Sequence, residues 1–188
     1  SSLGLACLAL PVAATAAVGE PLALCRDGKS EYAIVASPQA TPGEKTAAAE
    51  LREYVRQVTG ATLPLVAPEQ VPAGVPRMVV GDGPLTRQLL PDLRPEGLPP
   101  DTILIQSVGR DLVFCGHPRR GTLLAVITFL EETVGVRWWT MTETFVPTRP
   151  TLMVPAQAVR YSPPVVDRAT RYLETSDGCF TNHGTVTP

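Results

Sequence analysis

The stretch GHPRRGTLLAVITFLEETVGVRWW, residues 116–139, contains the signals that decide the fold. It passes from a strand end through an apolar helix pattern to Gly135 and two tryptophans. The turn before the helix has two competing interpretations. Pro118 could open an anion-binding helix start, or the whole stretch could be one packing unit of a larger domain. The apolar stripe of this predicted second helix consists of Leu123, Val126, Ile127, Leu130 and Val134.

An earlier helix is predicted over residues 42–59. Thr41 is an N-cap candidate, Pro42 suits the first helical position, and Glu44 completes a capping box. Gly60 stands where a C-terminal glycine belongs. The apolar positions Ala47, Leu51, Tyr54, Val55 and Val58 recur at helical spacing.

Strand patterns surround these helices. Only Gly109 and Arg110 separate two of the predicted strands, which favours a tight hairpin. The order of elements predicts an α/β (α+β) domain, in which a mixed β-sheet packs against two main helices. The predicted strands cover residues 31–37, 61–67, 76–82, 102–108 and 111–116, with short ones near 137–139 and 143–146.

Composition excludes some functions. The 188 residues have a formal net charge of −2 and no basic block, so no nucleic-acid partner is predicted. A hydrophobic content of 44% is enough for a core. Twenty prolines indicate stiff connections between short elements.

The first residues, 1–17, are typical of part of a signal peptide. A short apolar run precedes Ala14, Thr15 and Ala16, which match the small residues before a cleavage site. We therefore expect an exported protein, periplasmic or extracellular, whose mature form begins near Ala17 or Val18. The run is too short to span a bilayer. An N-terminal helix is the alternative, and a lipoprotein interpretation through Cys7 is weaker.

The cysteines predict no metal site. Cys25, Cys115 and Cys179 would remain after cleavage, without a CxxC motif or a Cys/His cluster. Cys25 and Cys115 lie in strand-like runs, which favours small buried residues. Their pairing stays open, and no cofactor is predicted.

The domain boundary is placed at a proline-dense segment, VPTRPTLMVPAQAVRYSPP. We predict a signal peptide over 1–17, an α/β domain over 22–155, a Pro-rich linker over 156–164, and the start of a further domain over 165–188.

A Gly-x-Gly follows a strand in VVGDGPLT, residues 79–86, as in some nucleotide sites. The third glycine of the fingerprint is missing, and Pro84 removes a backbone donor. A structural loop is therefore favoured over a phosphate cradle.

The polar and aromatic residues of the opening stretch also have structural interpretations. Arg119 and Arg120 are expected to be solvated beside a tight turn at Gly121. Trp138 and Trp139 alternate on a strand, so at most one can line a given surface, such as a sugar site. Packing in the core or between domains is the favoured use.

Catalytic groupings are scarce. His117 lies in a turn, and His183 lies in the last segment. Neither GxSxG nor HExxH is present. Glu131 and Glu132 lie late in a helix and are interpreted as a solvated face. We therefore predict no catalytic residue in this chain.

Three segments together resemble the N-terminal domain of bacterial α-glucuronidase-like glycoside hydrolases, and of the β-N-acetylhexosaminidases that share this domain type. They are YAIVASPQATPGEKTAAAELREYVRQVTGATLPLV, RMVVGDGPLTRQLLPDL and the opening stretch. The likeness covers about Glu31 to Pro155. It is also seen in exported bacterial proteins in which this domain precedes a barrel of unknown function.

The resemblance implies a non-catalytic accessory domain ahead of a (β/α)8 barrel that hydrolyses O-glycosidic bonds, with carbohydrate as the partner of the full-length protein. Residues 165–188 would then begin the barrel, and Arg168 would lie near the sugar. The catalytic carboxylates would lie beyond Pro188. The alternative is a stand-alone carbohydrate-binding or interaction module without enzymatic activity.

Overall fold

The computed structural model describes residues 19–140 and 142–164. Its helices are α1 (Pro42–Thr59), α2 (Pro84–Leu89) and α3 (Gly121–Thr128), and α3 continues as a π-helical segment, Phe129–Val134. Its strands are β1 (Leu22–Cys25), β2 (Ala33–Ala36), β3 (Leu65–Val66), β4 (Arg77–Val80), β5 (Ile103–Val108), β6 (Asp111–Gly116), β7 (Arg137–Trp138), β8 (Thr144–Phe145), β9 (Leu152–Val154) and β10 (Ala158–Tyr161).

Six strands form one mixed sheet in the order β10-β5-β6-β4-β2-β3. Strands β3, β2, β4 and β6 are parallel neighbours, while β5 runs antiparallel between β6 and β10. The β5–β6 hairpin turns at Gly109 and Arg110, as its two-residue spacing predicts. The predicted fold class, a mixed sheet with helices, is confirmed.

Helix α1 begins and ends at the predicted residues. The Thr41 hydroxyl accepts from the backbone N–H of Glu44, and the Glu44 carboxylate accepts from the backbone N–H of Thr41. Gly60 has a φ of 80°, which a residue with a side chain rarely adopts. The five predicted apolar residues of its stripe are all buried. Local signals thus determine this helix.

Helix α3 and the π-helical segment together form the predicted second helix. All five residues of its apolar stripe are buried, and Gly135 ends the segment with a φ of 92°. The structure differs in the last turn, where the helix widens. The backbone N–H groups of Gly135 and Val136 both donate to the carbonyl of Leu130.

The core has two layers, because the sheet is covered on both faces. Helices α1 and α3 pack together on one face, around Phe114 and Phe129. The opposite face carries a smaller cluster that includes Val79, Val113 and Leu85 of α2. The sequence predicted a loop where α2 forms, because this helix is short and Pro84 at its start suited a turn equally well.

The segment predicted as a Pro-rich linker, residues 156–164, includes strand β10. Four residues of β10 pair with β5, from Ala158 opposite Gln106 to Tyr161 opposite Ile103. Next to them the backbone N–H of Ser107 donates to the carbonyl of Gln157, at 2.8 Å. The segment is therefore an edge strand of the sheet, because its extended backbone finds the unpaired side of β5.

Two small strand pairs complete the fold. Strand β1, the first strand of the described chain, pairs with β9, with Leu22 opposite Val154. Strand β7 pairs with β8 as a hairpin. Only Leu65–Val66 forms a strand within the predicted range 61–67, beside β2 at the sheet edge.

Candidate functional site

The loop after β4 contains the Gly-x-Gly that could have bound phosphate. Its space is filled by a carboxylate of the same chain. The Glu44 Oε1 atom accepts from the backbone N–H of Asp82, at 2.7 Å. A Cβ atom on Gly81 would lie 2.5 Å from that oxygen. The structural interpretation of this loop is confirmed, since the glycine makes room for Glu44 instead of for a ligand.

The turn before α3 is equally closed. A Cβ atom on either Gly116 or Gly121 would lie 2.3 Å from the carbonyl oxygen of Thr102. The backbone N–H of His117 donates to the same carbonyl, at 2.9 Å. Both glycines are therefore needed because three backbone segments meet here. This contact supports the packing-unit interpretation of residues 116–139 over an anion site.

The two arginines of this turn differ. Arg119 is exposed, as predicted. The prediction for Arg120 was wrong, because its guanidinium forms two hydrogen bonds of 2.6 Å with the Asp101 carboxylate and is only about one third exposed. This ion pair joins the turn to the start of β5.

Trp138 and Trp139 point to opposite sides of the β7–β8 hairpin, as their alternation predicts. The Trp138 indole N–H donates to the Tyr54 hydroxyl, at 2.7 Å, and the two rings meet edge to face at 5.3 Å. Trp139 is 67% exposed. A second ring that the sequence did not predict, Phe145, also points outward and is 52% exposed. Strand alternation in the segment 143–146 could have indicated it.

A groove of about 1160 Å³ lies beside β1, the turn 26–32 and the adjoining ends of β5 and β10. Arg26, Lys29 and Arg110 contribute cations to it. Polar groups that line the groove bond to one another, since the Tyr32 hydroxyl donates to the Arg110 carbonyl at 2.9 Å. The Arg110 side chain pairs with Glu31. The lining of the groove also includes the carboxylates of Glu20 and Glu31.

The buried carboxylates have structural roles. Asp111 accepts from the backbone N–H of Arg77, at 2.8 Å, and also pairs with the Arg77 guanidinium. Glu44 serves two turns, as described above. Glu132 is exposed and Glu131 half-buried near the end of the second helix. Across residues 19–140 and 142–164, no buried side-chain nitrogen or oxygen lacks a hydrogen-bond partner.

Cys25 and Cys115 are buried, as predicted, and within the described residues neither forms a disulfide, which the sequence had left open. Burial raises the pKa of the Cys115 thiol to about 12, so it is not a nucleophile at neutral pH. Among the residues that the structure describes, no group of three His, Cys, Asp or Glu side chains could hold a metal ion.

Several predicted residues lie outside the described residues. They include Arg168, His183, Cys7 and Cys179, together with the signal-peptide and barrel segments. In the part of the chain that is described, no helix has the length and apolar character needed to cross a membrane.

No protein-family model matches the chain, and no curated protein matches it. Solved structures do. A family GH115 4-O-methyl-α-glucuronidase with specificity for decorated arabinogalactans superposes over 74% of this chain, with a TM-score of 0.52 and 16% identity. The GH20 β-N-acetylhexosaminidase of Streptomyces coelicolor A3(2) superposes over 78%, with a TM-score of 0.48 and 15% identity.

The chain spans 18% of the length of the glucuronidase and 24% of that of the hexosaminidase. At such low identity, the likeness to the glucuronidase shows the fold. The chain therefore has a fold that also occurs within a glycoside hydrolase.

Proposed function

We propose that this chain is a non-catalytic accessory domain of an exported glycoside hydrolase, and that it supports a downstream barrel. The observation that carries this proposal is the fold shared with part of an α-glucuronidase, of which the chain spans 18%. A piece of that size fits an accessory unit better than a complete catalytic domain.

The carboxylates of the described residues support the same proposal. Hydrolysis of a glycosidic bond by the usual route needs two carboxyl groups facing each other across the sugar. Asp101 and Asp111 are held by arginines, and Glu44 holds two backbone turns. These three acids are committed to structure, so the catalytic pair is proposed to lie in the barrel.

In this proposal residues 165–188 begin the barrel, and Arg168 contacts the sugar in the full-length protein. An arginine can position an oxygen-rich substrate through its fixed N–H donors, but it does not supply the proton transfers. The 188-residue chain is therefore expected to be inactive by itself.

The test compares two proteins, the 188-residue chain and the product of the longer reading frame. Aryl glycosides and aryl glucuronides are the substrates. We expect turnover by the longer protein only, with Arg168→Ala lowering kcat/KM and Arg171→Ala, a control in the same segment, leaving it unchanged. Hydrolysis in proportion to the concentration of the short chain would refute the accessory role.

Export is a separate part of the proposal. Cleavage after Ala16 would give a mature protein that begins near Ala17 or Val18. N-terminal sequencing of secreted material tests this, and intact residues 3–12 in that material would contradict it.

A further inference from the structure

The outward face of the β7–β8 hairpin presents two aromatic rings to solvent. Arg137 lies opposite Phe145, Trp138 lies opposite Thr144, and the backbone N–H of Trp139 donates to the carbonyl of Glu143. Because side chains alternate along a strand, Arg137, Trp139, Glu143 and Phe145 share one face. Trp139 and Phe145 are diagonal neighbours in this ladder, positions whose Cα atoms are roughly 7–8 Å apart.

The hairpin is fixed on its other side. Trp138 is held against α1 by the hydrogen bond and ring contact with Tyr54. The Thr140 hydroxyl accepts from the backbone N–H groups of Thr142 and Glu143, which orders the turn. On the face of the two rings Arg137 is held as well, because its guanidinium donates to the carbonyls of Glu131 and Val136. A surface held in this way loses little conformational entropy when it binds a ligand.

The surroundings of the rings favour a small polar ligand over a protein domain. Glu143 is exposed on the face of the rings, and Thr140 and Thr142 are exposed in the turn of the same hairpin. Contacts between domains bury roughly 600–1,500 Å², which two rings cannot supply alone. In the described part of the chain, the other exposed large apolar side chains lie on other strands: Leu65 on β3, Met153 on β9 and Tyr161 on β10.

We propose that this face, formed by Trp139, Phe145 and Glu143, binds saccharide chains. The C–H face of a pyranose ring is apolar and packs on an aromatic ring, while its hydroxyls at the ring edge donate to carboxylate and hydroxyl oxygens. Trp139 and Phe145 would stack against neighbouring sugars, and Glu143 would accept from their hydroxyls. The choice of carbohydrate as the ligand rests on the proposed function, but binding of a saccharide to this face does not require the barrel.

The experiment measures binding of saccharides to the 188-residue chain by calorimetry. The probes are soluble arabinogalactan, xylohexaose and cellohexaose. We expect at least one to bind with a Kd on the order of 1 mM or below, as one small platform allows. Trp139→Ala and Phe145→Ala should each weaken binding about tenfold or more, which corresponds to a loss of ~1.4 kcal/mol. Trp139→Phe keeps an aromatic ring and should retain most of the affinity.

Tyr161→Ala is the matched control, because Tyr161 is 51% exposed and lies on β10. It should bind like the wild type. Intrinsic fluorescence adds a local readout, since the chain has two tryptophans and only Trp139 lies on the proposed surface.

Absence of binding by all three probes, or equal binding by Trp139→Ala and the wild type, would overturn the inference. A loss of thermal stability on Trp139→Ala that appears only in the longer protein, without saccharide binding, would assign the surface to a protein contact instead. These results are separable from the proposed function, which is tested by hydrolysis.

Discussion

At Glu44, one carboxylate satisfies backbone donors from two separate parts of the chain. Its Oε2 atom accepts from the N–H and the hydroxyl of Thr41, and its Oε1 atom accepts from the N–H of Asp82. Glu44 is buried, with only 7% of the residue exposed to solvent. An acidic residue placed there for helix capping therefore also fixes the loop after β4.

Glu44→Ala is expected to lower the free energy of unfolding by about 1–3 kcal/mol, because it leaves buried backbone donors without partners. Chemical denaturation measures this change. Glu53→Ala is the control on the same helix, since its ion pair with Arg56 is half exposed and its loss should cost less than about 0.5 kcal/mol. Equal losses for the two variants would contradict the role given to Glu44.

Cys115 makes stability depend on pH in the alkaline range. Burial raises the pKa of its thiol to about 12, against about 8.5 in an unfolded chain. Between these values the unfolded chain has lost the proton that the folded chain keeps, so stability falls as pH rises. The stabilisation that Cys115 gives is complete below about pH 8.5. Above that pH, the free energy of unfolding falls by at most about 1.4 kcal/mol per pH unit on account of this thiol.

The variant Cys115→Ala should therefore lose stability less steeply between about pH 9 and 11 than the wild type does. Denaturation curves at several pH values give the two slopes, and a constant offset from the missing sulfur does not affect them. Burial also raises the pKa of Tyr32 and Tyr54, so part of the slope remains at the upper end. Parallel curves would show that Cys115 does not titrate differently on unfolding.

At the scale of elements, α3 is positioned by backbone contact. The end of β6, the start of β5 and the first turn of α3 meet at Gly116, Thr102 and Gly121. Such an approach is possible only without Cβ atoms at both glycines. The ion pair between Arg120 and Asp101 joins the same two segments, the residues before β5 and the start of α3. This meeting point of the three segments is called the corner below.

Gly121→Ala tests this corner. Alanine favours helix by up to about 1 kcal/mol over glycine, but its Cβ would meet the Thr102 carbonyl at 2.3 Å. We expect the clash to dominate and to lower the free energy of unfolding by about 1–3 kcal/mol. Gly97→Ala, where a Cβ would meet nothing within 4 Å, should stay within about 0.5 kcal/mol. A neutral or stabilising Gly121→Ala would contradict the close contact.

At the scale of the whole molecule, the sheet depends on a strand from the last described segment. Strand β10 covers the edge of β5. Strands β1 and β9 pair with each other in a separate two-stranded sheet. An uncovered β5 edge would offer unpaired backbone groups to other chains. Residues 158–161 of the predicted linker thus belong to the sheet, whatever role the residues after them have.

Val159→Pro tests this dependence. The backbone N–H of Ser107 donates to the Gln157 carbonyl, and the backbone N–H of Gln157 donates to the Ser107 hydroxyl. The alternation of an antiparallel ladder therefore predicts that Val159 and Ile105 form the next hydrogen-bonded pair. Proline removes that donor, and we expect a loss of at least about 1 kcal/mol together with self-association on size-exclusion chromatography. Arg160→Pro is the control, because the same alternation predicts that the N–H of Arg160 points away from β5. A stable, monomeric Val159→Pro protein would show that β10 is dispensable.

Local signals in the sequence determined α1 to the residue, the β5–β6 hairpin and the apolar stripe of the second helix. Capping residues, a two-residue turn and helical spacing act over a few positions, so they can be read without knowing the fold. The same local reasoning favoured a structural loop after β4, where the Glu44 carboxylate fills the space beside Gly81. It missed α2, because six residues after a proline carry too little periodicity to distinguish a helix from a loop.

Only the tertiary structure decided which distant segments meet. The Glu44 carboxylate reaches Asp82 over a separation of 38 residues, and Trp138 reaches Tyr54 over 84. The β10–β5 pairing and the exposure of Trp139 and Phe145 depend on the same packing. Such contacts follow from burial of the whole core, because an extended or aromatic residue has many possible partners and the sequence alone does not rank them.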